Sequence, residues 1–115
     1  MAKNNVSPSR TVSPDDAMKA QNRFQEALAL HQLGQLSQAQ LLYERALKWH
    51  PGHFDSLNML ATIAYQTGRL ERAESLFVKA LKIDPEAVYA LNNFGNVLQD
   101  LGKFKSALAY YDKAI

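Results

Sequence analysis

The chain has 115 residues, a formal net charge of +2 and no cysteine. That length allows one small domain or a short repeat array, and the absence of cysteine excludes disulfides and thiolate metal sites. The small net charge does not indicate nucleic-acid binding. We therefore expect no nucleic-acid partner. Because no segment is apolar enough for a signal peptide or a membrane-spanning helix, we also expect a cytoplasmic protein that does not bind membranes.

Residues 1–13 are predicted to form a disordered tail, because "NNVSPSRTV" is polar and contains few groups that could join a core. A helix should begin after Ser13, a good N-cap residue, with Pro14 at the first helical position. This helix should run to about Leu33. Residues 14–115 are predicted to form one domain.

An internal repeat with a period of 34 residues organises the rest of the chain. Gly34, Gly68 and Gly102 recur at this interval, and each follows an apolar-periodic stretch. A glycine there should end the first helix of a unit in the left-handed conformation. Three further positions keep the register, at five, nine and twelve residues after the glycine: Ala39, Ala73 and Ala107; Tyr43, Phe77 and Tyr111; Ala46, Ala80 and Ala114.

These register positions fall on one face of a second helix in each unit. Alanine lets neighbouring helices approach closely, and the aromatic residue fills the remaining space. Pro51 and Pro85 should end the second helices of the first two units, because the residue before a proline avoids helical geometry. Each unit is therefore a helical hairpin that buries its apolar face by stacking on the next unit.

This pattern resembles the tetratricopeptide repeat family over about residues 20–115. The resemblance implies an all-α, right-handed α-solenoid of antiparallel helix pairs, about three units long with the last incomplete. Arg23 and Glu26 stand where the family usually has large apolar residues, so the first helix should pack atypically. The units are expected at about 20–53, 54–87 and 88–115.

In this family the first helices of successive units line a concave groove. From Phe54 to Thr67 the only charged residue is Asp55, and from Val88 to Leu101 the only one is Asp100. The resemblance therefore implies a groove that is rich in amides and almost uncharged. The residues predicted to bind a peptide there are Gln25, Gln32, Asn58, Met59, Thr62, Gln66, Tyr89, Asn92, Asn93 and Asn96.

Asparagine side chains offer a donor and an acceptor, so they can pair with the main chain of an extended ligand whatever its sequence. Asn93 and Asn96 match asparagine positions in the superhelical repeats of O-linked N-acetylglucosamine transferases, and "LNNFGNVL" resembles those repeats. For Asn92 a plain polar-surface role is equally compatible with the pattern.

A subgroup of the family grips acidic chaperone tails with lysine and arginine on these same faces. The corresponding places here hold Phe24, Gln25, Met59 and Asn93, so chaperone-tail binding is disfavoured.

No phosphate-binding glycine loop, nucleophile elbow or paired carboxylate on one helical face is found in the sequence. We therefore predict no catalytic residue and no cofactor. His50 and His53 flank a Pro-Gly pair and could face one ion, but no third ligand has recognisable spacing. We interpret them as loop histidines near a helix C-terminus, and we predict no metal site.

The sequence thus predicts a non-catalytic module that binds a protein or peptide ligand. An alternative is the N-terminal substrate-recruiting part of a larger glycosyltransferase, methyltransferase or sulfotransferase, because the sequence stops inside a helical pattern without a stop signal. The face carrying Ala107, Tyr111 and Ala114 is expected to face water and to mediate self-association. Basic residues on the second helices lack interleaved aromatic residues, which disfavours nucleic acid.

Overall fold

The computed structural model describes residues 11–115, so most of the predicted tail over residues 1–13 lies outside the described part. Within residues 11–115 the secondary structure is entirely helical, which confirms the all-α prediction. Six helices follow one another: α1 (Pro14–Gln32), α2 (Leu36–Trp49), α3 (Phe54–Gln66), α4 (Leu70–Ile83), α5 (Val88–Asp100) and α6 (Phe104–Ala114).

The start of α1 is capped as the sequence predicts. Ser13 Oγ accepts a hydrogen bond of 3.1 Å from the backbone N–H of Asp16, and Pro14 is the first helical residue. The helix ends at Gln32, one residue before the predicted end.

The three glycines of the repeat end the first helices. Gly34, Gly68 and Gly102 have φ angles of 80°, 80° and 81°, in the left-handed region that residues with a Cβ rarely adopt. This confirms the predicted conformation. It also explains why glycine holds the register while most other positions vary.

The helices pair in chain order as α1 with α2, α3 with α4, and α5 with α6. Each second helix also contacts the next first helix, so α2 touches α3 and α4 touches α5. One apolar core therefore runs the length of the array. The predicted solenoid of helical hairpins is confirmed.

The predicted core register holds in full for the first two units. Tyr43 and Phe77 are completely buried, and so are the alanines five and twelve residues after each glycine: Ala39, Ala46, Ala73 and Ala80. Phe77 also reaches the following unit, where its ring centroid lies 6.1 Å from that of Phe94.

The third unit departs from the prediction most clearly at one residue. Ala107 was expected to face water, but it is only 3% exposed and belongs to the continuous core. We attribute this to its place on the side of α6 that faces α5, so that the hairpin alone encloses it. Tyr111 and Ala114, which were also expected to face water, are only partly exposed, and Tyr111 packs against the core. The exposed large apolar residues of α6 are Phe104 and Leu108.

The atypical residues of α1 form an ion pair. Arg23 Nε lies 2.6 Å from Glu26 Oε1, and both side chains are partly or fully exposed. The equivalent residues of the second unit, Leu57 and Leu60, are buried in the core. The first helix therefore packs differently from α3 at these two positions, as predicted.

Residues 11–115 contain no helix that is both long and apolar enough to cross a membrane.

Candidate functional site

Two side-chain hydrogen bonds join α1 to α3. Near the start of α3, His53 Nε2 lies 3.0 Å from Gln21 Oε1. Near its end, His31 Nε2 lies 3.2 Å from Gln66 Oε1. The first helices of units one and two are thus held side by side at both ends.

His31 also connects this surface to the core. Its Nδ1 lies 3.2 Å from the hydroxyl of Tyr43, and burial raises the pKa of Tyr43 to about 12. The hydroxyl therefore stays protonated at neutral pH. Because Gln66 Oε1 can only accept, the ring proton of the neutral imidazole lies on Nε2, and the unprotonated Nδ1 accepts from the Tyr43 hydroxyl. Nε2 then donates to Gln66 Oε1, so one proton arrangement satisfies both bonds.

A bond in the same register joins α3 to α5. The hydroxyl of Tyr65 donates to Asp100 Oδ2 over 3.0 Å, and these two residues are 35 positions apart, as are His31 and Gln66. Burial raises the pKa of Tyr65, and the hydrogen bond to Asp100 raises it further. The last turns of all three first helices are therefore linked in a row.

His53 has a structural role that the sequence interpretation missed. Its Nδ1 accepts a hydrogen bond of 3.2 Å from the backbone N–H of Ser56 and lies 2.7 Å from Ser56 Oγ, so His53 is the N-cap of α3. The interpretation as a histidine at a helix C-terminus fits His50, the C-cap of α2, and is wrong for His53. Histidine is an uncommon N-cap residue, so its position alone gave no signal.

The cap requires a neutral imidazole, because only an unprotonated Nδ1 can accept. Burial lowers the pKa of His53, the neighbouring His50 lowers it further, and Asp55 opposes both. The rings of His50 and His53 meet edge to face with centroids 5.3 Å apart. Within residues 11–115, no group of three potential metal-ligating side chains comes together.

The residues predicted to bind a peptide all lie on α1, α3 and α5, and they differ in exposure. Asn58 is buried. Partly buried are Met59, Thr62, Asn93 and Asn96. Exposed are Gln25, Gln32, Gln66, Tyr89 and Asn92.

Asn58 combines burial with an unused hydrogen-bonding group. The residue is only 8% exposed, and its Oδ1 has no hydrogen-bond partner among residues 11–115. An unpaired buried polar atom costs about 1–3 kcal/mol. Thr62, one turn further along α3, donates instead to the backbone carbonyl of Asn58 over 2.9 Å.

Asn96 is engaged by the last helix. Tyr111 donates from its hydroxyl to Asn96 Oδ1 over 2.5 Å, and the same hydroxyl lies 3.0 Å from Gln99 Oε1. The amide of Asn96 is thereby oriented by α6. No pattern in the sequence indicated this contact.

A second polar feature lies outside these residues, around the only tryptophan of the chain. Lys19 Nζ lies 4.3 Å from the centroid of the Trp49 ring. Arg23, Arg45, Lys48 and Trp49 line a cavity of about 530 Å³. The expectation that no aromatic residue lies among the basic residues of the second helices is therefore wrong at Trp49.

A family model described as Tetratricopeptide repeat matches residues 30–92, and another with the same description matches residues 88–115. No curated protein matches the chain significantly.

Solved structures with the same architecture include the second TPR of Spaghetti (RPAP3) bound to the HSP90 peptide SRMEEVD. Its TM-score is 0.83 at 17% identity, over 87% of this chain and 93% of that chain. The N-terminal domain of stress-induced protein-1 (STI-1) from C. elegans has a TM-score of 0.78 at 16% identity, covering 89% and 86%.

MamA has a TM-score of 0.79 at 19% identity and covers 85% of this chain. The chain spans 57% of the MamA chain that it matches. At these identities the similarity is one of fold.

Proposed function

This chain belongs to the tetratricopeptide repeat family, and we propose that it is a non-catalytic protein-interaction module that binds an extended peptide across α1, α3 and α5. The residues predicted from the sequence for this role form what we call the amide surface. They are Gln25, Gln32, Asn58, Met59, Thr62, Gln66, Tyr89, Asn92, Asn93 and Asn96.

The observation that carries this proposal is the unpaired oxygen of Asn58. Because this oxygen is buried in the unbound chain, the Asn58 amide has to turn toward the surface before a peptide main-chain N–H supplies the missing donor and removes the cost of leaving the oxygen unpaired. The neighbouring Met59 and Thr62 are partly buried, so a peptide there would contact a surface that is already largely shielded from water.

The two asparagines of α5 extend this surface into the third unit. Asn96 Oδ1 is engaged by Tyr111, so we expect its amide nitrogen to donate to a peptide carbonyl. Asn93 lies one turn earlier on the same helix and is also partly buried. Asparagines that contact the peptide main chain would bind with little dependence on the peptide's sequence.

The charge of the surface favours a neutral peptide. Asp55 and Asp100 are the charged residues of α3 and α5, and the carboxylate of Asp100 is bound by Tyr65. The RPAP3 repeat binds an acidic HSP90 peptide. Here Phe24, Gln25, Met59 and Asn93 stand where cations would be needed, so we do not propose a ligand of that type.

A peptide array followed by titration of the recovered peptides tests the proposal. The double variant Asn93→Ala with Asn96→Ala should weaken binding strongly, and Gln38→Ala, an exposed residue on α2, serves as the control. Asn58→Ala should weaken binding with little net change in stability, because removal of the unpaired polar atom offsets the packing lost on truncating a buried side chain. If the double variant binds every recovered peptide as well as the parent chain does, the proposal is wrong.

We also propose that α6 mediates self-association. Phe104 and Leu108 are 66% and 61% exposed, and Tyr111 and Ile115 continue the same stripe at helical spacing. The outer side of α1 carries the ion pairs Arg23–Glu26 and Lys19–Asp15. End-to-end stacking would bury those charges, so contact between two α6 stripes about a two-fold axis is favoured.

Light scattering over a concentration series tests the self-association. The 115-residue chain should form a dimer or higher oligomer, and Leu108→Glu should shift it toward monomer. Leu41→Glu is the matched control, because Leu41 is an exposed leucine on α2. A strictly monomeric, folded chain at millimolar concentration contradicts the proposal.

The alternative function is substrate recruitment within a larger enzyme of the glycosyltransferase, methyltransferase or sulfotransferase kind. It is supported by the likeness of "LNNFGNVL" to the repeats of O-linked N-acetylglucosamine transferases, with Asn93 and Asn96 at the matching asparagine positions. The native reading frame tests it. A stop codon directly after Ile115 would exclude it.

A further inference from the structure

Three cationic side chains line the cavity beside one exposed indole, and a fourth lies over the indole ring. Trp49 is 40% exposed and has Lys19 over its ring. Arg23 of α1 and Arg45 and Lys48 of α2 complete the lining. We call Lys19, Arg23, Arg45, Lys48 and Trp49 the indole pocket, and none of them belongs to the amide surface.

Two of these cations are already paired and two are not. Lys19 Nζ lies 3.2 Å from Asp15, and Arg23 lies 2.6 Å from Glu26. Among residues 11–115, Arg45 and Lys48 have no carboxylate within ion-pair distance of 4.0 Å. The pocket therefore has positive charge in excess of what the described chain neutralises.

The repeat register shows that the first unit differs here from the second. The positions of Arg45, Lys48 and Trp49 correspond to Lys79, Lys82 and Ile83, 34 residues later. The position of Arg23 corresponds to Leu57, which is buried in the core. The atypical arginine and the tryptophan are thus what give the first unit a cationic pocket with an aromatic wall.

We propose that the indole pocket is a second binding site, which takes an acidic peptide segment whose carboxylates pair with Arg45 and Lys48 while an adjacent aliphatic side chain packs on Trp49. An arginine guanidinium binds a carboxylate through two parallel hydrogen bonds, and a charge-assisted bond is stronger than a neutral one. Tryptophan adds a large rigid contact area beside these charges, a combination enriched at the centres of protein interfaces.

The geometry favours a peptide over single-stranded nucleic acid. Nucleic-acid surfaces stack successive bases on several aromatic side chains along a basic groove. The indole pocket has a single aromatic side chain, so it offers no row of rings on which successive bases could stack. A cavity of about 530 Å³ holds a few side chains, which fits a short acidic segment.

The two surfaces would then select different ligands. The amide surface is almost uncharged and suits a neutral extended peptide, whereas the indole pocket requires carboxylates. Binding at the indole pocket is independent of binding at the amide surface, because the two sites use different residues. The indole pocket would bind its ligand through charge, whereas the amide surface would bind through hydrogen bonds to the peptide main chain.

Fluorescence provides a direct test, since Trp49 is the only tryptophan in the chain. The probe is a short acetylated peptide in which glutamates flank a leucine, titrated into the full chain at low salt and again at high salt. We expect a saturable change in Trp49 emission that weakens as salt is added. The same peptide with glutamines in place of glutamates, and single-stranded oligothymidylate, are the comparison ligands.

Charge-reversal variants in matched positions locate the site. Arg45→Glu with Lys48→Glu should weaken binding of the acidic peptide by about tenfold or more, because both unpaired cations are reversed. Lys79→Glu with Lys82→Glu changes the net charge by the same amount in the second unit and should have a much smaller effect. Arg23→Leu, which installs the residue type of Leu57, should weaken binding while the chain stays folded by circular dichroism.

Several results would overturn the inference. One is the absence of a saturable emission change with the acidic peptide. Others are equal binding of the glutamine peptide, or equal loss in the two double variants. Binding of oligothymidylate in preference to the acidic peptide would assign the pocket to nucleic acid.

Discussion

Tyr111 of α6 donates a hydrogen bond from its hydroxyl to Asn96 Oδ1 of α5 over 2.5 Å. One of these residues lies on the stripe that we propose for self-association, and the other lies on the amide surface. A single hydrogen bond thus connects the two proposed surfaces.

Removing this hydroxyl should affect peptide binding. In Tyr111→Phe the Asn96 side chain loses the partner that holds its orientation, so we expect recovered peptides to bind a few-fold more weakly. Titration of those peptides measures the effect. Tyr110→Phe is the control, because Tyr110 packs its ring 4.7 Å from that of Phe94 and is not bonded to Asn96. Equal affinity in Tyr111→Phe and the parent chain would contradict this role of the bond.

The bond between Tyr65 and Asp100 should stabilise the contact between units two and three. Tyr65→Phe removes only the hydroxyl, and we expect the free energy of unfolding to fall by about 0.5–1.5 kcal/mol. Asp100→Asn keeps an oxygen that can accept the bond, so its effect should be smaller. Urea denaturation measures both. A larger loss of unfolding free energy in Asp100→Asn than in Tyr65→Phe would show that the Tyr65–Asp100 hydrogen bond is not the source of the stabilisation.

The cap formed by His53 should make stability depend on pH. Its pKa is lowered in the folded chain from an ordinary value of 6.5, so the unfolded chain takes up a proton at higher pH than the folded chain does. Stability is therefore full above that ordinary value, and it decreases as the pH falls through it toward the lower folded-state pKa. Protonation of Nδ1 also removes the acceptor for the Ser56 N–H.

His53→Asn should reduce this dependence, because asparagine caps a helix well and does not titrate. Thermal unfolding of both chains over a series of mildly acidic pH values gives the comparison. We expect a flatter dependence in the variant. Parallel curves would mean that the cap does not contribute to the acid sensitivity.

Gly95 and Tyr111 should be coupled energetically. A Cβ added at Gly95 would lie 2.6 Å from Tyr111 Cε1, so Gly95→Ala forces the ring to move. With Tyr111 present we expect the substitution to lower stability. In a Tyr111→Ala background the clash is gone, and the higher helix propensity of alanine should raise stability by up to about 1 kcal/mol. A double-mutant cycle by urea denaturation measures the coupling, and additive effects would contradict it.

Much of the fold could be predicted from the sequence because it depends on local physics. The interval between Gly34, Gly68 and Gly102 marks three places where the backbone must be left-handed, and the structure has that conformation at each. The Ser13 cap was recognisable because hydroxyl and backbone N–H lie within one helical turn. The burial of Tyr43 and Phe77 followed from helical spacing once the period was known.

The errors arose where a residue's role depends on a partner distant in the sequence. Ala107 was expected to face water, but its position toward α5 is a property of the assembled hairpin. His53 was placed correctly in a loop, yet its cap depends on the ring reaching Ser56 and its orientation on Gln21, 32 residues away.

The sequence by itself determined the repeat length, the helical hairpins, the left-handed glycines and the residues of the core face, because each depends on contacts within one unit or on spacing along one helix. Only the tertiary structure decided that Asn58 keeps an unpaired oxygen, that Tyr111 binds Asn96, and that Trp49 lies among cations from two helices. Those relationships depend on side-chain directions after the helices have packed, and helical periodicity specifies a face without specifying which atoms meet across it.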